Sequence, residues 1–234
     1  MNFIYTPLPA ERTEQFRVGV AVFVADPAVD QLHVGVLYAP PREPLKFLHL
    51  AFHARLKDEP FWGAGFRQDR PYVGVAPNID AELLPSVVAV CRRVVTRSQR
   101  EIPYGVLYEG GRFLESGQLE LAGEAHGLTC ATFVLHIFES AGATLLDIAS
   151  WESREEDGVW HDRIVDALRN FQLAHPTEIT DEHIAAVAAE RGCARIRPEE
   201  VVGGADSNDL PAAFHDARQR GAAVRARLAA EIGP

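Results

Sequence analysis

Cysteine is scarce in this chain of 234 residues, which contains three: Cys91, Cys130 and Cys193. No two of them are spaced as Cys-x-x-Cys, and this argues against a zinc ribbon or a disulfide framework. Isolated cysteines are typical of proteins in a reducing compartment. The N-terminus also lacks the basic start and apolar run of a signal peptide. We therefore expect a cytoplasmic protein.

Excess positive charge and long apolar runs are also missing. Lys and Arg total 23 and Asp and Glu total 33, for a formal net charge of −10. Because an acidic chain repels phosphate backbones, we expect no nucleic-acid partner. The cluster of Arg92, Arg93, Arg97 and Arg100 is interpreted as the solvated face of one helix. No stretch reaches the roughly 18 to 20 apolar residues of a membrane span, so none is expected.

The first half of the chain contains patterns typical of strands. Residues 17–24, 32–38 and 45–53 are rich in β-branched residues or alternate in polarity. Their short, proline-marked connections indicate an antiparallel meander. Residues 58–78 are rich in glycine, proline and aromatics and are predicted to form a loop. A further short strand is expected between Phe113 and Leu121.

Two segments have apolar residues at helical spacing, residues 78–98 and 129–142. Asn78 or Asp80 is the candidate N-cap of the first helix, and Thr129 is that of the second. The glycine that follows the second segment is a usual helix stop.

From about Trp160 onward the chain is predicted to be mostly helical, with a loop at residues 201–208 between two Ala-rich segments. Strands that precede helices in this way are the pattern of an α+β fold. We therefore expect a domain of residues 1–150 and a helical C-terminal extension, residues 151–234, packed on the same domain.

Cys130 lies at the predicted start of the second helix. Unpaired N–H groups and the positive end of the helix dipole lower the pKa of a thiol there, and the thiolate is the reactive form. Free cysteines are also among the most buried residues, and spacing alone favours a structural role. Cys91 lies in mid-helix and is interpreted as structural, and Cys193 has no recognisable partner.

A catalytic thiol needs a base, and the base needs an orienting group. His33, His49 and His53, three of the nine histidines, lie in the predicted meander. Alternation predicts that His49 and His53 share one face of the third strand. Their spacing would also suit a pair of metal ligands. Because the segment lacks the glutamate of the helical His-Glu-x-x-His motif and has a strand pattern, we expect no metal.

Several separated segments resemble motifs of one enzyme superfamily. Residues 33–38 read His-Val-Gly-Val-Leu-Tyr, residues 47–50 read Phe-Leu-His-Leu and residues 130–134 read Cys-Ala-Thr-Phe-Val. They resemble the NlpC-type papain-like hydrolases, and especially the circularly permuted relatives such as the YiiX-like amidases and lecithin retinol acyltransferase. Residues 102–104, Ile-Pro-Tyr, resemble a tyrosine segment of the permuted members. Alanine at position 131 departs from the usual serine.

The resemblance implies a papain-like α+β fold, in which an antiparallel sheet packs on the helix that carries the nucleophile. It implies that Cys130 is the nucleophile, His33 the base and His49 the orienting residue, with Tyr104 assisting at the oxyanion site. If the strand register differs, His49 is the base and His53 or another polar group is the orienting residue.

The function implied is a thiol hydrolase that cleaves a peptide, isopeptide or peptidoglycan amide through an acyl-enzyme, without cofactor or metal. One alternative is a thiol acyltransferase of the lecithin retinol acyltransferase type, with an acyl groove lined by Phe61, Trp62 and Phe66. The other is a non-catalytic binding module that retains the fold. In that case the C-terminal helices are the candidate surface for a protein partner or self-association, and Cys130 is unreactive.

Overall fold

The computed structural model describes residues 3–5, 17–61, 72–98, 102–123 and 126–232, and it shows a mixed α+β architecture. The main sheet has six strands in the order β1-β6-β2-β3-β4-β5, and all neighbours are antiparallel. The strands are β1 (Phe3–Tyr5), β2 (Val18–Asp26), β3 (Gln31–Tyr38), β4 (Lys46–Phe52), β5 (Arg55–Pro60) and β6 (Tyr72–Val75).

The predicted meander is confirmed in β2, β3 and β4. Val20 pairs with Val36 in the β2–β3 ladder, and Val36 in turn pairs with Leu48 of β4. The turn after β2 forms because the Asp26 carboxylate accepts a hydrogen bond from the N–H of Ala28 at 2.9 Å.

The predicted loop at residues 58–78 was wrong in part, because it overlaps β5 and contains β6. The charged sequence of β5 (Arg-Leu-Lys-Asp-Glu-Pro) has no apolar alternation, as is common for a strand at the edge of a sheet. β6 has only four residues, all buried between β1 and β2, and is too short to give a pattern. Residues 62–71 lie outside the described part of the chain.

The two faces of the sheet carry different side chains because residues alternate along each strand. The helix-covered face packs in one core with the helices, and the opposite face forms a smaller, mostly aromatic core. The first is represented by Val20, Val34, Val36, Leu48 and Leu50, and the second by Phe23, Leu37, Phe47, Phe61 and Tyr72.

Six α-helices and a small hairpin complete the described structure. The hairpin pairs β7 (Gly111–Phe113) with β8 (Leu119–Leu121), in the region of the predicted short strand. The helices are α1 (Leu84–Arg97), α2 (Cys130–Ser140), α3 (Asp157–Ala174), α4 (Asp181–Ala189), α5 (Pro198–Ala205) and α6 (Phe214–Ile232).

The start of the α1 region and its arginine side agree with the sequence prediction. Asp80 caps a short 3-10 turn ahead of α1 by accepting a hydrogen bond from the N–H of Glu82 at 2.9 Å. Arg92, Arg93 and Arg97 lie on the exposed side of the helix. Arg100 lies outside the described residues.

The loop predicted at residues 201–208 was wrong, because α5 occupies residues 198–205 and every one of its residues is buried. Gly203 and Gly204 lower the intrinsic helix propensity and misled the sequence interpretation. The structure uses them for close packing: a Cβ on Gly203 would lie 2.6 Å from the backbone nitrogen of Gly221 in α6.

The C-terminal helices share a core with the sheet. Val201 and Val202 of α5 belong to the same buried cluster as Val20 and Val34. Arg154 forms ion pairs with Asp157 at the start of α3 and with Glu200 in α5, which ties these two helices together. None of the helices in the described residues is long and apolar enough to span a membrane.

The α5–α6 crossing predicts a strong effect for Gly203→Ala. In an unconstrained helix this change would be stabilising by about 1 kcal/mol. Here the added methyl would meet the backbone of Gly221 at 2.6 Å and that of Ala217 at 2.7 Å. We therefore expect the free energy of unfolding to fall by about 1 to 3 kcal/mol in urea denaturation. Gly123→Ala is the control, since its nearest neighbour atoms lie 3.8 Å away; an equal loss in both variants would contradict the packing argument.

Candidate active site

The N-terminus of α2 is fixed by a reciprocal cap. The Thr129 hydroxyl accepts a hydrogen bond from the N–H of Thr132 at 3.1 Å, and the Thr132 hydroxyl accepts one from the N–H of Thr129 at 2.8 Å. This capping box makes Cys130 the first residue of the helix, as the sequence predicted. The cysteine therefore lies beside the free N–H groups of the first turn.

Cys130 is largely buried, with 8% of its surface exposed. Burial raises the pKa of its thiol, and hydrogen bonding from the N–H of Val34, the charge of Arg195 and the N–H of Ala131 lower it in part. The expectation that the helix N-terminus leaves a low pKa is thus not met, because burial outweighs these donors. The resting sulfur is a thiol that needs a base.

Residues 102–105 run alongside the N-terminus of α2. The N–H of Leu128 donates to the carbonyl of Pro103 at 2.9 Å, and the N–H of Gly105 donates to the carbonyl of Leu128 at 3.4 Å. A Cβ on Gly105 would lie 2.5 Å from the nitrogen of Gly127, so only glycine permits this approach. The crossing brings Tyr104 next to the cysteine helix.

Tyr104 is buried, and burial together with the nearby Cys130 thiol raises the pKa of its phenol. Its hydroxyl therefore stays protonated at neutral pH and is available as a hydrogen-bond donor. The structure thus brings Cys130 and Tyr104 into one neighbourhood, and the role of Tyr104 at an oxyanion site stays a prediction.

His33 and His49 form a hydrogen-bonded pair. Nε2 of His33 lies 2.7 Å from Nδ1 of His49, and Nε2 of His49 lies 3.6 Å from a carboxylate oxygen of Glu59. The two rings contact Phe23 and Phe47 on the opposite face of the sheet. Three polar side chains of β3, β4 and β5 therefore form one chain across the sheet.

The absence of a side chain on Gly35 makes this pairing possible. A Cβ there would meet the Phe47 ring at 2.6 Å and the His49 Cβ at 2.8 Å. Glycine is therefore required at position 35 for a structural reason: it leaves room for β4 to place His49 over β3.

The protonation states of His49 and Glu59 indicate which ring donates the hydrogen bond between His33 and His49. Burial lowers the pKa of His49, and hydrogen bonding to His49 lowers the pKa of Glu59. A neutral His49 beside an ionised Glu59 carries its proton on Nε2, so its Nδ1 accepts. Nε2 of His33 then donates to it, and Nδ1 is the basic atom of a neutral His33.

Cys130 contacts the backbone of β3. The β3–β4 ladder ends at the Val36–Leu48 pair, and the N–H of Val34 beyond it acts on the Cys130 sulfur. Val34 directly follows His33 in the strand, so the two side chains point to opposite faces of the sheet. The His33 ring itself leans toward Phe23, on the face away from α2.

His53 does not join His49. A register shift between Leu50 and Phe52 ends the alternation, and His53 lies in the turn after β4. Its ring packs 5.0 Å from that of His183. The predicted shared face was therefore wrong, and the alternative in which His53 orients His49 has no support in this geometry.

His53 and His183 instead hold the peptide of Tyr104 between them. Nδ1 of His53 accepts from the Tyr104 N–H at 3.2 Å, and Nε2 of His183 donates to the Tyr104 carbonyl at 2.8 Å. Nε2 of His53 donates to the carbonyl of Glu178 at 3.1 Å. We call this arrangement the histidine clamp; it connects the candidate site to α4.

Two neighbours of the site were missed by the sequence analysis. Glu59 lay in the segment interpreted as a loop, and only the β4–β5 register brings it to His49. Arg195 follows α4, far along the chain, and its charge acts on both Cys130 and Tyr104. No local sequence signal marks either residue.

The sequence analysis also considered a metal site and an acyl groove near the candidate active site. Among the described residues, no three His, Cys, Asp or Glu side chains are grouped closely enough to hold a metal ion. Phe61 of the proposed acyl groove is fully buried against Phe47 and Tyr72. Trp62 and Phe66 lie outside the described residues.

Comparison of the chain with protein-family models, curated proteins and solved structures gives no significant match. The α+β architecture with its antiparallel sheet is seen directly. The relationship to the permuted papain-like enzymes stays a prediction that depends on the motifs.

The histidine clamp predicts a loss of stability in mild acid. Burial, more than the neighbouring His183, lowers the pKa of His53 from 6.5 to about 4. Between these values the unfolded chain binds more protons than the folded one, so the free energy of unfolding falls as the pH falls through this window. We expect His53→Gln to reduce this pH dependence in urea denaturation at pH 7 and pH 4.5. The exposed His215, changed to Gln, is the control; an unchanged dependence in His53→Gln would contradict the clamp.

Proposed function

We propose that the protein is a thiol hydrolase that cleaves an amide through an acyl-enzyme on Cys130. The observation that carries this is the chain of Glu59, His49 and His33. It ends one residue from the Val34 N–H that bonds the Cys130 sulfur. These residues supply a nucleophile, a base and two groups that orient the base, the set that thiol catalysis uses, although the resting His33 ring leans toward Phe23 on the face away from α2.

In the first step, Nδ1 of His33 removes the thiol proton as the sulfur attacks the acyl carbon. For this transfer the His33 side chain has to turn from Phe23 toward the sulfur. The imidazolium that forms on His33 is stabilised through Nε2 by the neutral His49, whose other nitrogen faces the Glu59 carboxylate. A buried thiol of raised pKa is suited to this general-base route, since it does not rest as a thiolate.

The negative charge that develops on the acyl oxygen needs donors. The N–H groups of Cys130 and Ala131 lie at the start of α2, and the Tyr104 hydroxyl is protonated. The positive charge of Arg195 acts on the same neighbourhood. These groups are fixed before reaction, which is how an oxyanion site lowers a barrier.

Collapse of the tetrahedral intermediate breaks the C–N bond, and the leaving amine takes the proton from His33. Water then attacks the thioester, with His33 as the base, and releases the acid and the thiol. Transfer of the acyl group to an amine or alcohol is the alternative fate of the same thioester. A peptide, isopeptide or peptidoglycan amide is the substrate class that the motifs favour.

The assignment predicts covalent acylation of one cysteine. We expect 4-nitrophenyl acetate to acetylate Cys130, identified by peptide mass spectrometry, and to release a burst of nitrophenolate. Cys91 is fully buried and is expected to stay unlabelled. His33→Gln should slow acetylation by about 100-fold, because general-base catalysis contributes about 10² to 10⁴ in rate.

Cys130→Ser and His175→Gln are the controls for this experiment; the first should abolish the burst and the second should leave it unchanged. Acetylation of Cys130 at the same rate in His33→Gln would remove His33 as the base. Failure of Cys130 to react in the folded wild-type chain would favour the non-catalytic binding module.

Glu59→Gln tests the far end of the chain. The Glu59 carboxylate stabilises the positive charge that forms on the histidine pair during the reaction, so we expect its loss to slow acetylation of Cys130 by about tenfold. The free energy of unfolding should change little, because 23% of the Glu59 side chain is exposed. Glu120→Gln, which removes a carboxylate paired with Arg112 on the β7–β8 hairpin, is the matched control. An equal rate in both variants would exclude Glu59 from catalysis.

A further inference from the structure

A groove lies at the end of the sheet away from the candidate active site. It consists of two adjacent cavities of about 440 and 190 Å³, which share Arg17, Ala39 and Pro41 in their walls. Ala39 directly follows β3, whereas His33 lies near the start of that strand. At about 3.4 Å per residue, the groove is about 20 Å from His33. We call it the arginine groove.

Three arginines line the arginine groove, Arg17 and Arg42 in the larger cavity and Arg17 and Arg92 in the smaller. All three are exposed, and none of their side chains forms an ion pair or hydrogen bond with a described residue. Glu43, the acidic residue of the larger cavity, is paired with Lys46 at 3.1 Å. The positive charge of the groove is therefore not neutralised by its own walls.

Many arginines elsewhere in the described chain form ion pairs, although Arg93, Arg97 and Arg163 are also exposed and form none with a described residue. Arg154, Arg191, Arg197, Arg220 and Arg225, among others, each pair with an Asp or Glu. In a chain with a net charge of −10, acidic partners are plentiful. What distinguishes Arg17, Arg42 and Arg92 is that all three line the same groove, which gives this surface a local positive charge suited to an anion.

The floor of the groove is apolar. Leu84, Pro85 and Val88 of α1 face Pro41 across the smaller cavity. Arg42 adopts a left-handed backbone conformation with φ of 65°. This conformation belongs to a β-turn that the N–H of Glu43 closes on the carbonyl of Pro40 at 3.1 Å, and the turn places Arg42 in the wall of the groove.

We propose that the arginine groove binds a small amphipathic anion, with a carboxylate or phosphate held by the arginines and a short apolar body on the α1 floor. The guanidinium fork matches both head groups, and the apolar residues contribute by burial. The larger cavity has the size of a usual small-molecule site. The site is separate from Cys130 and does not depend on the proposed hydrolase activity.

Isothermal titration of the full chain with octanoate, below its micelle-forming concentration, tests this proposal. We expect saturable binding that weakens as sodium chloride is raised, because the head-group contact is ionic. Acetate, which lacks the apolar body, and 1-octanol, which lacks the charge, should each bind at least about tenfold more weakly. A parallel titration with octyl phosphate identifies the preferred head group.

Arg42→Gln and Arg92→Gln should each weaken octanoate binding by about tenfold. Arg93→Gln is the matched control, since this exposed arginine is on the same helix, next to Arg92, but outside the groove. All of these side chains are exposed, so circular dichroism and thermal unfolding should show intact folds. Equal affinity for octanoate and 1-octanol would overturn the proposal. So would equal affinity in the Arg92 and Arg93 variants, or no binding of either amphipathic anion.

Discussion

The close approach of two backbone segments at Gly105 and Gly127 is the constraint on which the site depends. A side chain at either position would collide with the other segment, since a Cβ on Gly127 would lie 2.3 Å from the Pro103 carbonyl oxygen. The crossing fixes where α2 begins relative to residues 102–105. It thereby brings the phenol of Tyr104 and the sulfur of Cys130 together, although their positions are widely separated in sequence.

Features with a local physical cause could be predicted from the sequence. Alternating β-branched residues gave the β2–β4 meander, and the threonine ahead of Cys130 gave the start of α2. The pairing of His33 with His49 was expected from neighbouring strands and is seen at 2.7 Å. In each case the signal lies within a few residues of the structure that it predicts.

Features with a non-local cause could not be predicted. α5 is helical because the two glycines that weaken it locally let it pack against α6. Glu59 reaches His49 through a strand that has no apolar pattern of its own. The pKa of Cys130 is raised because the helices and the sheet bury the thiol more strongly than the helix terminus stabilises its anion. Burial of this kind is a property of the assembled fold.

The histidine clamp has a consequence for how this protein can be divided. A fragment that ends at residue 150 would contain Cys130, His33, His49 and Tyr104, and by its motifs would look complete. It would lack His183, and the Tyr104 carbonyl would lose the donor that lies 2.8 Å away. The boundary at residue 150 that the sequence suggests therefore separates His53 from His183, the two residues of the histidine clamp that hold Tyr104. Substitutions of His183 in α4 are then expected to displace Tyr104, although α4 lies far from Tyr104 in the sequence.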